Sequence, residues 1–459
     1  MIRNMHIPVN RLPPEILSKI LEHRRCEKDL VTATHVCRYW RSTLTSSPPL
    51  WTRFRFLSIR DVDRTLAYLE RSKSATVDIK IYTNHSQDPG SLQLFAPHIS
   101  RTRSFAIQGS HGVHAASSLL LCSPAPFLEY LEMRAYSGPV GDLHNFLGRQ
   151  APSLRSAIFQ GIFPVLESPF PLPNLTEFTL IVLEEAGAIR ISSLFHFLSN
   201  CPQLRKISID ISCEMLQDVS SGLVISLEAL EELDYICDTV CRVLPFLKLP
   251  CLSRLRVSSR LQAGQVGKLA DILPHDGRHL LSGVTRMLYS STDCAQTVGF
   301  FREEAEVSIT GLRAGANFTP IDWFSDGTCI PLGQIQDLRV DGDYIATDFS
   351  FDLLKNLTTL RAASWDSLLT NGFLRLLYPG TGTVIACPSL HEIHIRCNSW
   401  VDPESVAESL LNLVREREGA GHRLGLVNLL VVRKPSQGLE DQLREHVGEL
   451  RFGLFGETT

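Results

Sequence analysis

The chain has 459 residues, of which 44% are hydrophobic and 20% charged, a composition ordinary for a soluble globular protein with several domains or one elongated domain. The formal net charge of −4 argues against a general nucleic-acid binder. Charge is uneven, because residues 1–80 carry +7 and the remainder carries −11. A basic N-terminal segment suits an acidic partner, and chance asymmetry on a solvated surface explains it about equally well.

Targeting and redox features indicate a reducing compartment, cytoplasm or nucleus. Residues 1–10 lack the pattern of a signal peptide, and no run approaches the length of a membrane span. Most of the 12 cysteines lie in apolar runs, as Cys37, Cys201 and Cys387 do, and are expected to be small buried side chains. Cys237 and Cys241 are four residues apart, but no second pair completes a zinc site, so no metal or cofactor is expected.

The first fifty residues predict a small helical module. Pro13 and Pro14 suit the first turn of a helix, where a missing N–H has no cost. The apolar face of that helix would consist of Ile16, Leu17, Ile20 and Leu21. So short a module has a marginal core and needs a partner surface or the rest of the chain to cover its apolar faces.

A second helix is predicted from Asp29, its expected N-cap, through Trp40, and Pro48-Pro49 would end the helical stretch. Trp40 is expected to be buried between the helices. Trp51 is expected to pack at the junction with the strands that follow and to make the two parts one rigid body.

Four motifs of this segment, in order, are typical of one family. They are Leu12-Pro13-Pro14-Glu15-Ile16-Leu17, a middle helix, Val36-Cys37-Arg38-Tyr39-Trp40-Arg41 and the closing Leu50-Trp51. The segment resembles an F-box, and the alternative is that its apolar residues only pack on the following domain. The resemblance implies docking on the acidic Skp-type adaptor of an SCF ubiquitin ligase. The residues that would form or support the adaptor face are Leu12, Pro13, Ile16, Leu17, Ile20, Val36 and Trp40. One departure from the family, the charged run 22–25, puts the far end of that contact in doubt.

After Leu50 the pattern changes to alternating strands and helices. Residues 62–69 and 92–99 have helical spacing, whereas residues 75–82 alternate strictly between apolar and polar side chains, as a half-buried strand does. Further helices are predicted over 191–198 and 404–414.

A repeated template, P-x-L-x-x-Φ-x-Φ with Φ apolar, spans most of the chain. With the proline it begins at Pro126, Pro152, Pro173, Pro202, Pro250 and Pro388, and without the proline at Leu230, Val284, Ile335, Leu357 and Val427. Spacings of about twenty to forty residues are typical of repeat proteins. Each Φ-x-Φ predicts a short strand with two inward side chains, and stacked strand–helix units would bury one another.

Residues 75–435 thus resemble degenerate leucine-rich repeats that follow an F-box, of the kind abundant in basidiomycete fungi. The predicted fold is α/β, with N-terminal F-box helices and an irregular leucine-rich-repeat solenoid of parallel strands stacked in a curved sheet with helices outside. The expected domains are the helical module (1–55), the solenoid (56–438) and a C-terminal cap or tail (439–459). Residues 261–333 are the least regular, and Asp322-Trp323-Phe324 there is a loop anchor or a short helix.

No catalytic motif is present. The chain lacks the phosphate-binding and nucleophile-elbow patterns, and the acidic pairs at 184–185 and 303–304 indicate solvated surfaces. His391 and His394 lie on a predicted strand with opposite orientations, which does not suit a metal site. The chain is therefore expected not to be an enzyme.

The predicted function is that of a substrate receptor. The F-box would dock on the adaptor and, through it, a cullin-RING ligase, while the repeats bind an unidentified target protein; neither nucleic acid nor membrane is an expected partner. Alternatives are an F-box scaffold without a ligase and, more distantly, an enzyme with an unrecognised site. Outward strand positions would bind the target, unless their charges only keep the sheet soluble. These positions are Arg134, Asp210, Asp234, Arg256, Arg339, Asp341, Arg361, His394 and Arg396.

Overall fold

A computed structural model describes most of the chain. The described residues are 7–23, 27–57, 61–83, 89–109, 113, 122–136, 141–142, 146–163, 172–182, 189–211, 215–216, 224–237, 243–261, 273–274, 278–291, 295–302, 305–313, 332–342, 354–364, 374, 377, 385–397 and 401–454. They divide into two compact units, one comprising Met1–Ser221 with Leu227–Leu230, the other comprising Gly222–Ser226 with Glu231–Thr459.

The first unit begins with short helices. They are a 3-10 turn (Pro8–Arg11), α1 (Pro14–His23), α2 (Glu27–Thr34), α3 (Arg38–Thr45) and a second 3-10 turn (Pro48–Trp51). The single helix predicted from Asp29 through Trp40 is wrong, because the chain forms α2 and α3 there and Asp29 lies inside α2. The Thr34 hydroxyl donates to the Val31 carbonyl at 2.6 Å and competes with continuation of the helix. Cys37, which follows, has an extended backbone with φ −159°.

Seven strands of the first unit form a parallel sheet in chain order. They are β1 (Arg53–Phe56), β2 (Val77–Thr83), β3 (Thr102–Gly109), β4 (Tyr130–Ala135), β5 (Ser156–Gln160), β6 (Glu177–Val182) and β7 (Lys206–Ile211). Their register aligns the Φ positions of the template into two buried rows. One row contains Phe105, Leu131, Ala157, Phe178 and Ile207. This stacking explains the repeat physically, because no strand could bury these side chains alone.

Helical connections in the first unit are α4 (Val62–Arg71), a 3-10 stretch (Pro89–Arg101) and α5 (Ile191–Ser199). The helices predicted over 62–69 and 191–198 are confirmed. Residues 92–99 adopt 3-10 turns rather than an ordinary helix, and Pro97, which lies inside that stretch, cannot donate a backbone hydrogen bond. A further 3-10 turn covers Phe146–Arg149, and two-residue strands pair Gly141–Asp142 with Ile162–Phe163 and Ile189–Arg190 with Met215–Leu216.

The second unit contains ten longer strands. They are β8 (Glu232–Cys237), β9 (Arg254–Leu261), β10 (Arg286–Ser291), β11 (Ala295–Arg302), β12 (Ala305–Arg313), β13 (Asp337–Gly342), β14 (Thr359–Ser364), β15 (Glu392–Cys397), β16 (Leu426–Val431) and β17 (Glu449–Leu454). Their order is β8-β9-β12-β11-β10-β13-β14-β15-β16-β17. Ile225–Ser226 and Leu247–Lys248 also pair, and 3-10 turns cover Leu244–Phe246 and Leu332–Gln334.

One strand breaks the predicted parallel pattern. Strand β11 is antiparallel to both β10 and β12. Its links to these neighbours are only three and two residues long (292–294 and 303–304). So short a link can join antiparallel strands, whereas parallel neighbours need a crossover of a dozen residues or more. The sheet is therefore mostly parallel, and the α/β class predicted from the sequence is confirmed.

Ten of the eleven template matches identify their strand and its buried residues correctly. The match at Val427 is wrong in register. Val427 and Leu429 are the buried strand residues, opposite Ile393 and Ile395 of β15, whereas Val432 is 48% exposed. The leucine that precedes the strand by three residues is Leu424, which is buried.

The C-terminal part of the second unit packs two helices beside its last strands. Helix α6 (Arg278–Leu281), a single turn, lies earlier in this unit. The two C-terminal helices are α7 (Pro403–Gly419), which covers the predicted helix 404–414, and α8 (Gln437–His446), which precedes β17. The predicted domain boundary at residue 438 thus falls inside α8, and β17 pairs with β16 as the last strand.

No helix in the described part of the chain is long and apolar enough to cross a membrane. Some predictions lie outside the described residues. They concern Arg24 and Arg25 of the charged run, Cys241, the acidic pairs 184–185 and 303–304, and residues 322–324.

Candidate functional site

The N-terminal helices have a very small core. Leu17, Ala33 and Leu44 are its buried members, and the side chains packed against them are only partly buried: Leu21, Tyr39, Trp40 and Leu50. A core of this size supplies little stability, so contacts with the rest of the first unit matter.

Two aromatic residues of α3 anchor the segment that precedes α1. The Tyr39 hydroxyl donates to the Leu12 carbonyl at 2.6 Å, and the Trp40 indole N–H donates to the Asn10 side-chain oxygen at 2.7 Å. The prediction that Trp40 is buried is wrong, because its side chain is only partly buried. Its polar atom reaches Asn10 near the surface, which suits the amphipathic indole.

Trp51 is fully buried, at 0% exposure. Its indole N–H donates to the Leu44 carbonyl at 2.8 Å, its ring meets Tyr68 edge-on at 4.9 Å, and the Arg71 guanidinium lies 4.5 Å from the ring centre. Since Leu44 belongs to α3, and Tyr68 and Arg71 to α4, Trp51 joins the helical module to the first helix between the strands. The predicted packing of Trp51 at this junction is confirmed.

Three predicted adaptor-binding residues are large apolar side chains exposed to solvent. Ile16 is 44%, Ile20 is 47% and Val36 is 55% exposed. Ile16 and Ile20 are four residues apart in α1 and therefore share one face of the helix. Exposed apolar side chains grouped in one small module are typical of an interaction surface.

The other four predicted residues have different environments. Pro13 is exposed and Leu12 is partly exposed. Leu17 is completely buried in the core, so it can support an interface but cannot contact a partner directly. Trp40 lies partly buried over that core, as described above.

Sequence reasoning missed three further exposed apolar residues of the module. Ile7, Val9 and Val31 are 46%, 37% and 36% exposed. With Ile16, Ile20 and Val36 they make six of the thirteen exposed large apolar residues in the described part of the chain. We call these six residues the apolar face. Val31 could have been recognised from its position in α2, on the opposite side from the core residue Ala33, since two helical positions span about 200°.

The predicted target-binding residues of the first unit lie on the side of the sheet opposite the buried rows. Arg134 donates to the Glu132 carboxylate at 2.6 Å and to the Gln160 side chain at 3.3 Å. Asp210 is half-buried on β7, one register position from the buried Ile209. The two residues are not adjacent, because β5 and β6 separate their strands.

In the second unit the predicted residues form two groups. Asp234 and Arg256 lie opposite each other on β8 and β9, and Arg256 donates to Glu306 at 3.4 Å. That hydrogen bond, with the negative charge of Glu306, raises the pKa of the Arg256 guanidinium. Asp234 is half-buried.

The second group is a row of polar side chains, four of the five with a basic group, across β13 to β17. Its members in register are Arg339, Arg361, His394, Asn428 and Arg451. Sequence reasoning missed Asn428 and Arg451, because the register error at Val427 hid the outward positions of the last strands. We call these five residues the basic row. Arg396 lies two positions further along β15 and is exposed.

Acidic side chains beside the basic row neutralise most of it. Arg339 donates to Asp341 at 2.7 Å, Arg361 lies 3.2 Å from Asp337, and Arg451 donates to Glu449 at 2.7 Å. His394 lies 3.3 Å from Glu392. These exposed pairs are worth little stability each, but they fix the orientation of the charges on this surface.

The described residues include no metal-binding cluster. No group of three or more His, Cys, Asp or Glu in that part of the chain could hold a metal ion. Burial raises the pKa of the Cys201 and Cys397 thiols to about 12, so neither forms a thiolate near neutral pH.

Comparison with known protein families gives a match in the N-terminal segment. No curated protein matches the chain, and the family match does not reach the repeats, so their resemblance to leucine-rich repeats stays a prediction. Residues 9–57 match the F-box-like family, and the segment that contains α1 to α3 is therefore an F-box-like domain.

Proposed function

We propose that this protein is the substrate-recognition subunit of an SCF-type ubiquitin ligase. The F-box-like domain supports a role in F-box-mediated protein interaction, and domains of this family typically bind Skp-type adaptors. The observation that carries the proposal is the apolar face, because six exposed apolar residues of one small domain need a partner to cover them. The adaptor would link the chain to a cullin and its RING subunit in the cytoplasm or nucleus.

The mostly parallel strands would supply the target-binding surface. Their outward side chains carry fixed charges of both signs, which suits a polar protein surface rather than an anionic polymer. In this proposal the chain brings target and ubiquitin-loaded enzyme together, and other subunits carry out the transfer.

Adaptor binding is tested by changing exposed residues, since these changes leave the core intact. Ile16→Glu with Ile20→Glu should abolish co-purification of the Skp-type adaptor, because hot-spot residues typically contribute about 2 kcal/mol or more each. Leu66→Glu with Val432→Glu is the matched control, because these two side chains are each 48% exposed and lie outside residues 9–57. Equal adaptor recovery from both double variants would refute docking through the apolar face.

Two further measurements separate the ligase subunit from the scaffold alternative. A ligase subunit should recover the cullin with the adaptor, whereas a scaffold should recover the adaptor or other partners without it. For the target surface, Arg339→Glu with Arg361→Glu should reduce target capture and leave adaptor binding unchanged. Unchanged targets after that reversal would exclude Arg339 and Arg361 as target-binding residues.

A further inference from the structure

A cavity of about 610 Å³ lies in the first unit. It lies between the N-terminal helices and the outward side of the first four strands of this unit. Helices α1 and α2 contribute one wall, and strands β1 to β4 contribute the other. Its volume is within the range of sites that hold small molecules, about 300–1,000 Å³.

The helical wall is largely apolar. Leu21 of α1, Leu30 of α2, and Pro49 and Leu50 of the following turn line it. Glu22, the acidic residue of this wall, is exposed. An apolar part of a ligand could therefore be buried on this side.

The two carboxylates of the sheet wall are already neutralised. Asp78 accepts hydrogen bonds from Arg103 at 2.7 and 3.1 Å and from Arg53 at 3.2 Å. The pKa of the Arg103 guanidinium is raised by its hydrogen bond to Asp78. Glu132 accepts from the Tyr130 hydroxyl at 2.8 Å and from Arg134 at 2.6 Å.

Two cations of the same wall are less completely neutralised within the described residues, although the charge of Lys80 contributes to the lowered pKa of Glu132. Arg55 and Lys80 are directly opposite each other on β1 and β2. Within the described residues no carboxylate lies in ion-pair distance of the Arg55 guanidinium or the Lys80 ammonium group. The Lys80 ammonium group instead lies 5.3 Å from the centre of the Tyr82 ring. Like charges at opposite positions of neighbouring strands repel, and a bound anion would relieve that repulsion.

Small side chains leave room beside these cations. Ala106 follows Lys80 in the same register row and also lines the cavity. An anionic group placed there would have two cations on one side and the apolar helical wall on the other.

We propose that this cavity binds a small organic anion, with its phosphate, sulfonate or carboxylate group at Arg55 and Lys80 and its apolar body against Leu21, Leu30 and Leu50. The chemistry of the two walls favours an amphiphile. The cations alone would bind inorganic phosphate, and the leucines alone would bind a neutral ring. Nothing in this inference depends on ubiquitin transfer or on the identity of the adaptor.

Three probes test the two walls separately by titration calorimetry on the full chain. 1-Naphthyl phosphate carries both features, 1-naphthol only the ring, and inorganic phosphate only the anion. We expect one molecule of 1-naphthyl phosphate to bind per chain, with affinity about tenfold or more above that of either other probe. Relative to 1-naphthol it gains hydrogen bonds between charged groups, and relative to inorganic phosphate it buries an apolar ring. No binding of 1-naphthyl phosphate, or equal binding of 1-naphthol, would overturn the proposal.

Variants then locate the site. Arg55→Gln with Lys80→Gln should weaken 1-naphthyl phosphate binding about tenfold or more, because both changes remove the positive charge and keep a polar side chain. Arg339→Gln with Arg361→Gln, which removes two cations from another surface, should leave it unchanged, as should Ile16→Ser with Ile20→Ser. Unchanged affinity in the Arg55 and Lys80 variant, or loss of binding in the Ile16 and Ile20 variant, would show that the probe binds elsewhere and would refute the assignment. Circular dichroism of each variant verifies that it is folded.

Discussion

Replacement of Trp51 should uncouple the F-box-like domain from the rest of the first unit. The side chain is 0% exposed and contacts α3 through Leu44 and α4 through Tyr68 and Arg71. Trp51→Ala would leave a large cavity, at a cost of about 3–5 kcal/mol. Trp51→Phe should cost less, about 1–2 kcal/mol, because it keeps most of the ring and removes the hydrogen bond. The Leu44 carbonyl would keep a second donor, the Ser47 amide at 3.2 Å.

Amide hydrogen exchange measured by mass spectrometry is the appropriate assay, because a chain with two compact units need not unfold in one step. In Trp51→Ala, protection of α3 and α4 should fall together, by about a hundredfold or more for a loss of about 3 kcal/mol. Trp40→Ala is the contrast, because its side chain is partly buried and packs on the core of the helical module. This variant should reduce the amide protection of α1 to α3 and leave the protection of α4 unchanged. Loss of protection in α3 with wild-type protection in α4 after Trp51→Ala would refute the coupling.

Two further predictions concern buried polar groups. Arg417 is 0% exposed and donates to the Ala386 and Cys387 carbonyls, both at 2.9 Å. Arg417→Met should therefore destabilise the second unit by about 2–4 kcal/mol. A thermal unfolding midpoint equal to that of the wild type would contradict this. Burial would raise the pKa of Glu132, but hydrogen bonds from Tyr130 and Arg134 outweigh it and hold that pKa below 4.5. A lowered carboxyl pKa stabilises the fold near neutral pH, and this contribution is lost as pH falls below about 4.5. Glu132→Gln should therefore cost more stability near pH 7 than in acid, as denaturant titrations at both pH values would measure, and an equal cost would exclude the ionised carboxylate as the cause.

The sequence predicted most strands because their spacing follows directly from packing. In the ten correct matches the apolar residue three positions before Φ-x-Φ is buried, a leucine in eight of them and Val284 and Ile335 in the other two, and the register aligns the first-unit matches with neighbouring strands. The failure at Val427 has an equally physical cause. Residues 426–432 are apolar on both sides of the strand, except for Asn428, so a period of two cannot distinguish the inner side from the outer one.

Strand β11 was unpredictable for a different reason. Its sequence has only two described buried apolar side chains, Val298 and Phe300, with Gly299 between them. The direction of the strand depends on the two short links, which fix a hairpin on each side. Strand spacing alone contains no information on whether such a link reverses the chain.

The candidate site likewise contains residues that the sequence identified and residues whose environment it could not predict. Ile16 and Ile20 were found because the F-box pattern includes them, whereas Trp40 and Trp51 could not be ranked by burial from sequence. Both residues are aromatic and both lie at helix ends. Their difference arises from α4, which covers Trp51 through Tyr68 and is absent from the helical module itself.

Helix α1 contributes to both surfaces proposed for this protein, and its geometry makes them separable. Successive residues of a helix are about 100° apart around its axis. The face with Ile16 and Ile20 is therefore rotated by about 100° from the face with Leu17 and Leu21. The first pair is exposed, whereas Leu17 is in the core and Leu21 lines the cavity. One rigid helix can thus present an apolar face to the adaptor and a leucine to the cavity at the same time. Variants of Ile16 and Ile20 should change adaptor binding only, and variants of Arg55 and Lys80 should change probe binding only. A variant of either pair that altered both would show that the two surfaces are coupled through α1.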